Sequence, residues 1–294
     1  MAGSGRLMKL SRTEITHVGS IECAQHRKCR SWWRLSAALL IVALSTPAIA
    51  MTGNAGGAQH WQNKRYIEQG FYDIALNSEY ERLQPVVRKW IQPLRIWFYS
   101  EAGDSAQQRW LLWTHFQQLS RITGLPAEFV HQRDQANVRI LFTSDRDPNG
   151  MAARELSRTG VRELEHSVCI GQIRFNHRAE ITQGVVVIPV ERAQSRGKLL
   201  PCVIEEVTQM LGLINDSRRV HPTVFSDVTD DELLTGLDYL LLKLLYSPEL
   251  SSGMTHVQAA PVIRRQLDAW EHSGLIRRAS SIVADSPLHA TLMP

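Results

Sequence analysis

Between residues 88 and 246 the spacing of apolar residues changes period several times, which limits this chain to a sheet covered by helices. Residues 88–99 run through Trp90, Leu94, Ile96, Trp97 and Phe98 as a strand, with Pro93 marking its start. Residues 106–122 set Trp110, Leu111, Trp113, Leu119 and Ile122 near helical spacing, with Trp110 and Trp113 read as core, and Gly124 stops the pattern. Residues 137–142 alternate as a strand. Residues 144–160 are polar, with space for a short helix, and 167–175 and 184–190 are two further strands. Residues 199–213 form a helix that tolerates Pro201 in its first turn and ends at Gly212. Residues 232–246 and 257–271 follow as helices. Such an order is α+β, a mixed sheet covered by helices, in one domain over residues 86–272. Residues 51–85 read as a mobile or irregular lead-in, with a helix as the alternative over 65–85, and 273–294 as a flexible tail.

The N-terminal 50 residues read as an export leader. Arg27, Lys28, Arg30 and Arg34 precede an uncharged apolar run at 35–44, and Ala48-Ile49-Ala50 fits a small-residue cleavage motif. The run is shorter than the roughly 20 residues of a spanning helix. Cleavage near Ala50 would send the remainder to the periplasm or outside the cell. The alternative is an uncleaved anchor, the one way this chain would hold a stable membrane span.

Without residues 1–50 the formal charge of +4 becomes 26 basic against 27 acidic residues, or −1. The basic character belongs to the leader, which argues against nucleic acid as a partner. Two of the four cysteines also leave. Cys169 and Cys202 remain, and in an oxidising compartment such a pair forms a disulfide, with two buried thiols as the alternative.

The chemistry concentrates in residues 202–217. On a helix Glu205 and Gln209 share a face, Glu206 lies about a third of a turn round, and Gly212 can bring Asn215 or Asp216 back towards them. This spacing matches the zinc-protease helix His-Glu-x-x-His extended by x-x-Gly-x-x-ligand. Glu205, Gln209 and Asn215 take the ligand positions, and Glu206 takes the general base position, with Asp216 beside the site. Both histidines are missing. Zinc prefers His and Cys, so no zinc set is present; these oxygens suit a harder divalent cation, or no ion. Each residue also has a structural reading. Glu206 can be an ion-paired helix residue, Glu205 and Gln209 can bond neighbouring loops, and Asn215-Asp216-Ser217 can be a helix-exit turn. His221 before Pro222 reads as a loop residue, with a returning nitrogen ligand as the alternative, and Asp238, inside an apolar helix, as half of a structural pair or the cap of a loop. No Gly-x-Ser-x-Gly turn, phosphate loop or Gly-x-Gly-x-x-Gly fingerprint occurs.

The string Cys-x-x-Glu-Glu-x-x-Gln-x-Leu-Gly-Leu-x-Asn-Asp-Ser at 202–217 resembles the signature of the proteobacterial "domain of unknown function 2927" family. The likeness continues through Pro222-Thr223-Val224-Phe225-Ser226-Asp227, Leu245-Tyr246-Ser247-Pro248 and Gly253-Met254-Thr255. Upstream it takes in Arg88-Lys89-Trp90, Thr123-Gly124 and Cys169, covering about residues 86–265. The resemblance implies an exported or lipid-anchored protein of zincin-like fold, with the helix at about 199–213 as a degenerate metallopeptidase-type helix. It implies no established activity. Many relatives carry His just before the first Glu, where this chain has Ile204. Two functions follow as expectations: a divergent or degenerate metallopeptidase-like hydrolase with Glu206 as base, or a non-catalytic scaffold holding a peptide or envelope component in the same cleft.

Overall fold

The computed structural model describes residues 6–11, 59–77, 84–147, 149–226, 228–229 and 231–292. The apolar run at 35–44 and the cleavage motif at 48–50 lie outside them. The strands are β1 (Arg6–Ser11), β2 (Lys89–Trp90), β3 (Leu94–Ser100), β4 (Ala127–Phe129), β5 (Val138–Thr143), β6 (Ile170–Phe175) and β7 (Glu180–Pro189). They form one sheet in the order β1-β6-β7-β5-β3-β4, and β2 pairs with β7 off that path. The sheet is mixed, as expected, but mostly parallel. β3 pairs parallel with β4 and β5, and β7 pairs parallel with β5 and β2. Among the described strands, β6 with β7 and β1 with β6 run antiparallel. Parallel neighbours need crossovers, and the helix α2 (Ser105–Thr123) between β3 and β4 supplies one. The buried run Val185-Val186-Val187-Ile188 of β7 suits a strand covered on both faces.

The other helices are α1 (Lys64–Phe71), α3 (Met151–Glu155), α4 (Arg158–Leu164), α5 (Val190–Ser195), α6 (Leu199–Gln209), α7 (Gly236–Leu245), α8 (His256–His272), α9 (Leu275–Ala284) and α10 (Pro287–Leu292). A small apolar cluster joins Met151, Leu156 and Leu164 to Leu141, Ile170, Val185 and Val187 of the sheet. The main core gathers α1, α2, α6 and α7 with the rest of the sheet. Every residue of α6 from Pro201 to Gln209 is buried, so this helix lies in the middle of the protein.

Cys169 and Cys202 form a disulfide, with Cα atoms 5.9 Å apart, joining the residue before β6 to the first turn of α6.

Three expectations need correction. The lead-in at 51–85 is not irregular over residues 60–76. Asn63 caps α1 by accepting from the Arg65 and Tyr66 amides, and a π-helical turn, Tyr72–Leu76, continues it. Ile67, Phe71 and Ile74 make a buried stripe at helical spacing, so the segment is part of the core. The expected flexible tail at 273–294 carries α9 and α10. Ile276, Ala279 and Val283 recur on one face of α9, which packs against α7. Trp110 and Trp113 are not core residues: they are 43% and 41% exposed. Leu111, Leu112, Phe116 and Leu119 take the inner face of α2 instead, while Trp113 meets the Phe129 ring at 5.6 Å.

Candidate functional site

The turn after α6 brings three of the sequence-predicted residues together. Gly212 has φ of +118°, and a Cβ there would sit 2.1 Å from the Arg88 carbonyl oxygen, so only glycine fits this turn. The chain then folds back, and the Gln209 side-chain amide donates to Asp216 Oδ1. Asn215 is buried; its side-chain amide donates to the carbonyls of Asp73 and Asp216, each at 2.9 Å.

Glu205 and Glu206 are also buried, Glu206 to 2% exposure. Glu205 lines a cleft with Lys198, Pro201, Val224, Ser226 and Asp231 whose volume is about 10 Å3, about the space of one water molecule. Gln209, Asn215 and Asp216 do not line it. Among the described residues no group of three or more His, Cys, Asp or Glu side chains is placed to hold a metal ion. The amide nitrogens of Gln209 and Asn215 face a carboxylate and carbonyls, so these two side chains are engaged within the turn rather than directed at a shared centre.

Two residues close to this turn escaped the sequence reading. Asp73 of the π-helical turn accepts from Ser217 Oγ at 2.5 Å, Arg219 Nη2 at 2.6 Å and Asn77 Nδ2 at 2.8 Å. Burial pushes its carboxyl up, but these three hydrogen bonds outweigh that and hold it below the usual carboxylate range. Its only sequence signal is a charge inside the apolar run Phe71–Leu76. His115 of α2 lies against the back of α6, with Nε2 3.0 Å from Thr208 Oγ1. Thr208 donates its hydroxyl hydrogen to the Ile204 carbonyl at 2.6 Å, which assigns the proton on His115 to Nε2. Burial lowers this imidazole to about 4, so it is neutral at pH 7.

Among the described residues Asp238 faces no countercharge but four donors, so it caps a loop rather than forming an ion pair. Thr223 Oγ1, the Val224 amide, and the amide and hydroxyl of Thr235 all bond its carboxylate. Burial pushes it up to about 6 despite those bonds. It closes the capping box of α7 and ties that helix to the 223–224 loop facing Glu205.

On the far side of the exit turn lies a groove of about 990 Å3, lined by His60, Tyr66, Asp73, Asn77, Arg219 and Val220 among others. This is within the size range of ligand sites. The Tyr66 hydroxyl accepts from the His221 amide and donates to the His221 carbonyl, each at 2.9 Å, and so fixes the loop that forms one wall.

The fold and this turn define a class: a mixed α/β domain whose central buried helix carries adjacent glutamates and turns back at a glycine. The chain belongs to the family described as "Protein of unknown function (DUF2927)", whose model matches residues 64–265, more than half of its length. That bears out the family resemblance of residues 202–217, and the match begins at α1, upstream of where the resemblance began. No curated protein matches the chain. No helix among the described residues is long and apolar enough to cross a membrane.

Proposed function

We propose that this chain is a non-catalytic binding domain of zincin-like fold, working outside the cytoplasm on a peptide or envelope component. The observation that carries this reading is the use of the motif side chains within the protein: Gln209 bonds Asp216, and Glu205 faces about 10 Å3. A hydrolase needs its base and ligands to converge beside a space that admits a scissile bond. The 990 Å3 groove between α1 and residues 217–221 offers such space, but neither Glu205 nor Glu206 lines it. The zincin-like reading is supported by α6, which follows β7 after the short α5, packs on β6 and β7, and turns at Gly212. Export rests on the leader. On that reading Arg6–Ser11 departs with residues 1–50, and β6 becomes an edge of the sheet.

The test is incubation of the full chain with a random peptide mixture, with and without added zinc. Mass spectrometry should find no cleavage, and peptides that bind should slow amide exchange at residues 60–77 and 217–221. Cleavage that disappears in Glu206→Gln would overturn the proposal in favour of a divergent metallopeptidase. For export, N-terminal sequencing of protein recovered from the producing cell should begin near Met51; retention of residues 1–50 refutes the cleaved leader.

A further inference from the structure

A second groove, of about 810 Å3, lies between the 248–254 loop, the residues around β2, and the turn joining β6 to β7. Lys89 of β2 is half-buried in it. The ammonium donates to the Ser247 carbonyl at 3.1 Å and sits 5.9 Å from the centre of the Tyr246 ring. Among the described residues no carboxylate lies within ion-pair distance of it. Lys64 makes the contrast: it meets both Asp268 and Glu271, and its pKa rises, whereas burial alone lowers that of Lys89. A partly desolvated cation without a countercharge costs stability, and such groups concentrate where an anion arrives.

The surroundings share that sign. Among the described residues Arg88 and Arg178 line the same groove with one carboxylate, Glu180, which is held by Asn176 at 2.7 Å and by Arg178 at 3.8 Å. Ser252, another lining residue, has a buried hydroxyl with no hydrogen-bond partner among the described residues. The rest of the lining mixes polar side chains with an apolar strip: Val86 and Met254 lie there with Ile91, which is 56% exposed. An exposed isoleucine next to a half-buried lysine matches a ligand with an anionic head and an apolar body.

We infer that this groove binds an amphiphilic anion, with its phosphate or carboxylate head against Lys89 and its apolar portion along Ile91, Val86 and Met254. The site stands apart from the groove of the proposed function and does not depend on it. Octyl phosphate and inorganic phosphate are the probes, titrated calorimetrically into the full chain at low salt. Octyl phosphate should bind at least tenfold tighter than inorganic phosphate. Lys89→Met should weaken octyl phosphate at least tenfold, and Ile91→Ser should weaken it while leaving inorganic phosphate unchanged. The melting temperature of ligand-free Lys89→Met should equal or exceed that of the parent, since a costly buried charge is gone. Arg178→Gln, on an exposed turn where folding is not at stake, should weaken octyl phosphate about threefold at low salt, the size of one screened charge contact. Absence of binding at millimolar octyl phosphate, or parent-like affinity in Lys89→Met, overturns the inference. Vesicles of phosphatidylglycerol, set against phosphatidylcholine, separate the two sources of such a head. Retention on the anionic vesicles alone assigns a lipid; octyl phosphate binding without vesicle retention assigns a soluble anion.

Discussion

Gln209 donates its side-chain amide to the carboxylate of Asp216, closing the turn that Gly212 opens. A hydrogen bond to a charged acceptor contributes roughly 1.5–3 kcal/mol. In a double-mutant cycle of Gln209→Ala and Asp216→Ala, the coupling should reach about 1–2 kcal/mol. Denaturant unfolding of the four proteins measures it. Strictly additive losses would mean that the pair does not hold the turn.

Gly212→Ala should be among the costliest single changes in the protein. It sets a Cβ 2.1 Å from a backbone oxygen at φ of +118°. Strain and clash together should remove about 3 kcal/mol or more. Gly197→Ala is the control: φ there is +64° with nothing within 4 Å, so only the backbone cost remains, roughly 1–2 kcal/mol. Equal drops in melting temperature for the two variants would refute the close approach.

Reduction of Cys169–Cys202 should lower stability by about 3–4 kcal/mol on the loop-entropy account, since the bridge spans 33 positions. The denaturant midpoint with and without reductant reads this. The denatured, unreduced chain should expose neither of these two thiols; finding both would rule the bridge out.

Two buried groups should act oppositely on stability between about pH 4 and pH 6. Asp238 is raised from 3.8 to about 6, so its contribution is complete below 3.8 and is lost as pH rises through 6. His115 is lowered from 6.5 to about 4, so its contribution is complete above 6.5 and is lost as pH falls towards 4. Each is worth about 3 kcal/mol at 1.36 kcal/mol per pKa unit. Relative to the parent, His115→Gln should therefore lose stability as pH rises from 4 to 6, and Asp238→Asn should gain it. Urea midpoints at half-unit pH steps give both difference curves, and parallel curves would contradict the burial of these groups.

The longer central strands and helices are legible because each carries its own period: the apolar run ending at Tyr99, the stop at Gly124, and the helix closed by Gly212; the short β4 and the edge strand β1 carry none, and the break between β2 and β3 does not show in the run at 88–99. The Cys169–Cys202 pair was legible by counting. The lead-in is hard to read because the stripe Ile67, Phe71, Ile74 is only three residues wide and lies among polar neighbours; it becomes core only when α7 and α8, more than 160 positions away, offer it a surface. The outward turn of Trp110 and Trp113 was missed because spacing shows that two residues share a face, not which face meets the core.

At the candidate site the same division holds. Local sequence determined the helix, the glycine turn and the return of Asn215 and Asp216, because these depend on backbone geometry within a few residues. Tertiary structure alone decided that Asp73 bonds Ser217 across 144 positions and that His115 backs Thr208 across 93. It also decided that α6 is buried all round. Whether a glutamate works on a substrate or sits within the protein depends on the space beside it. That space is shaped by segments far away in the chain, whose contacts no local pattern records.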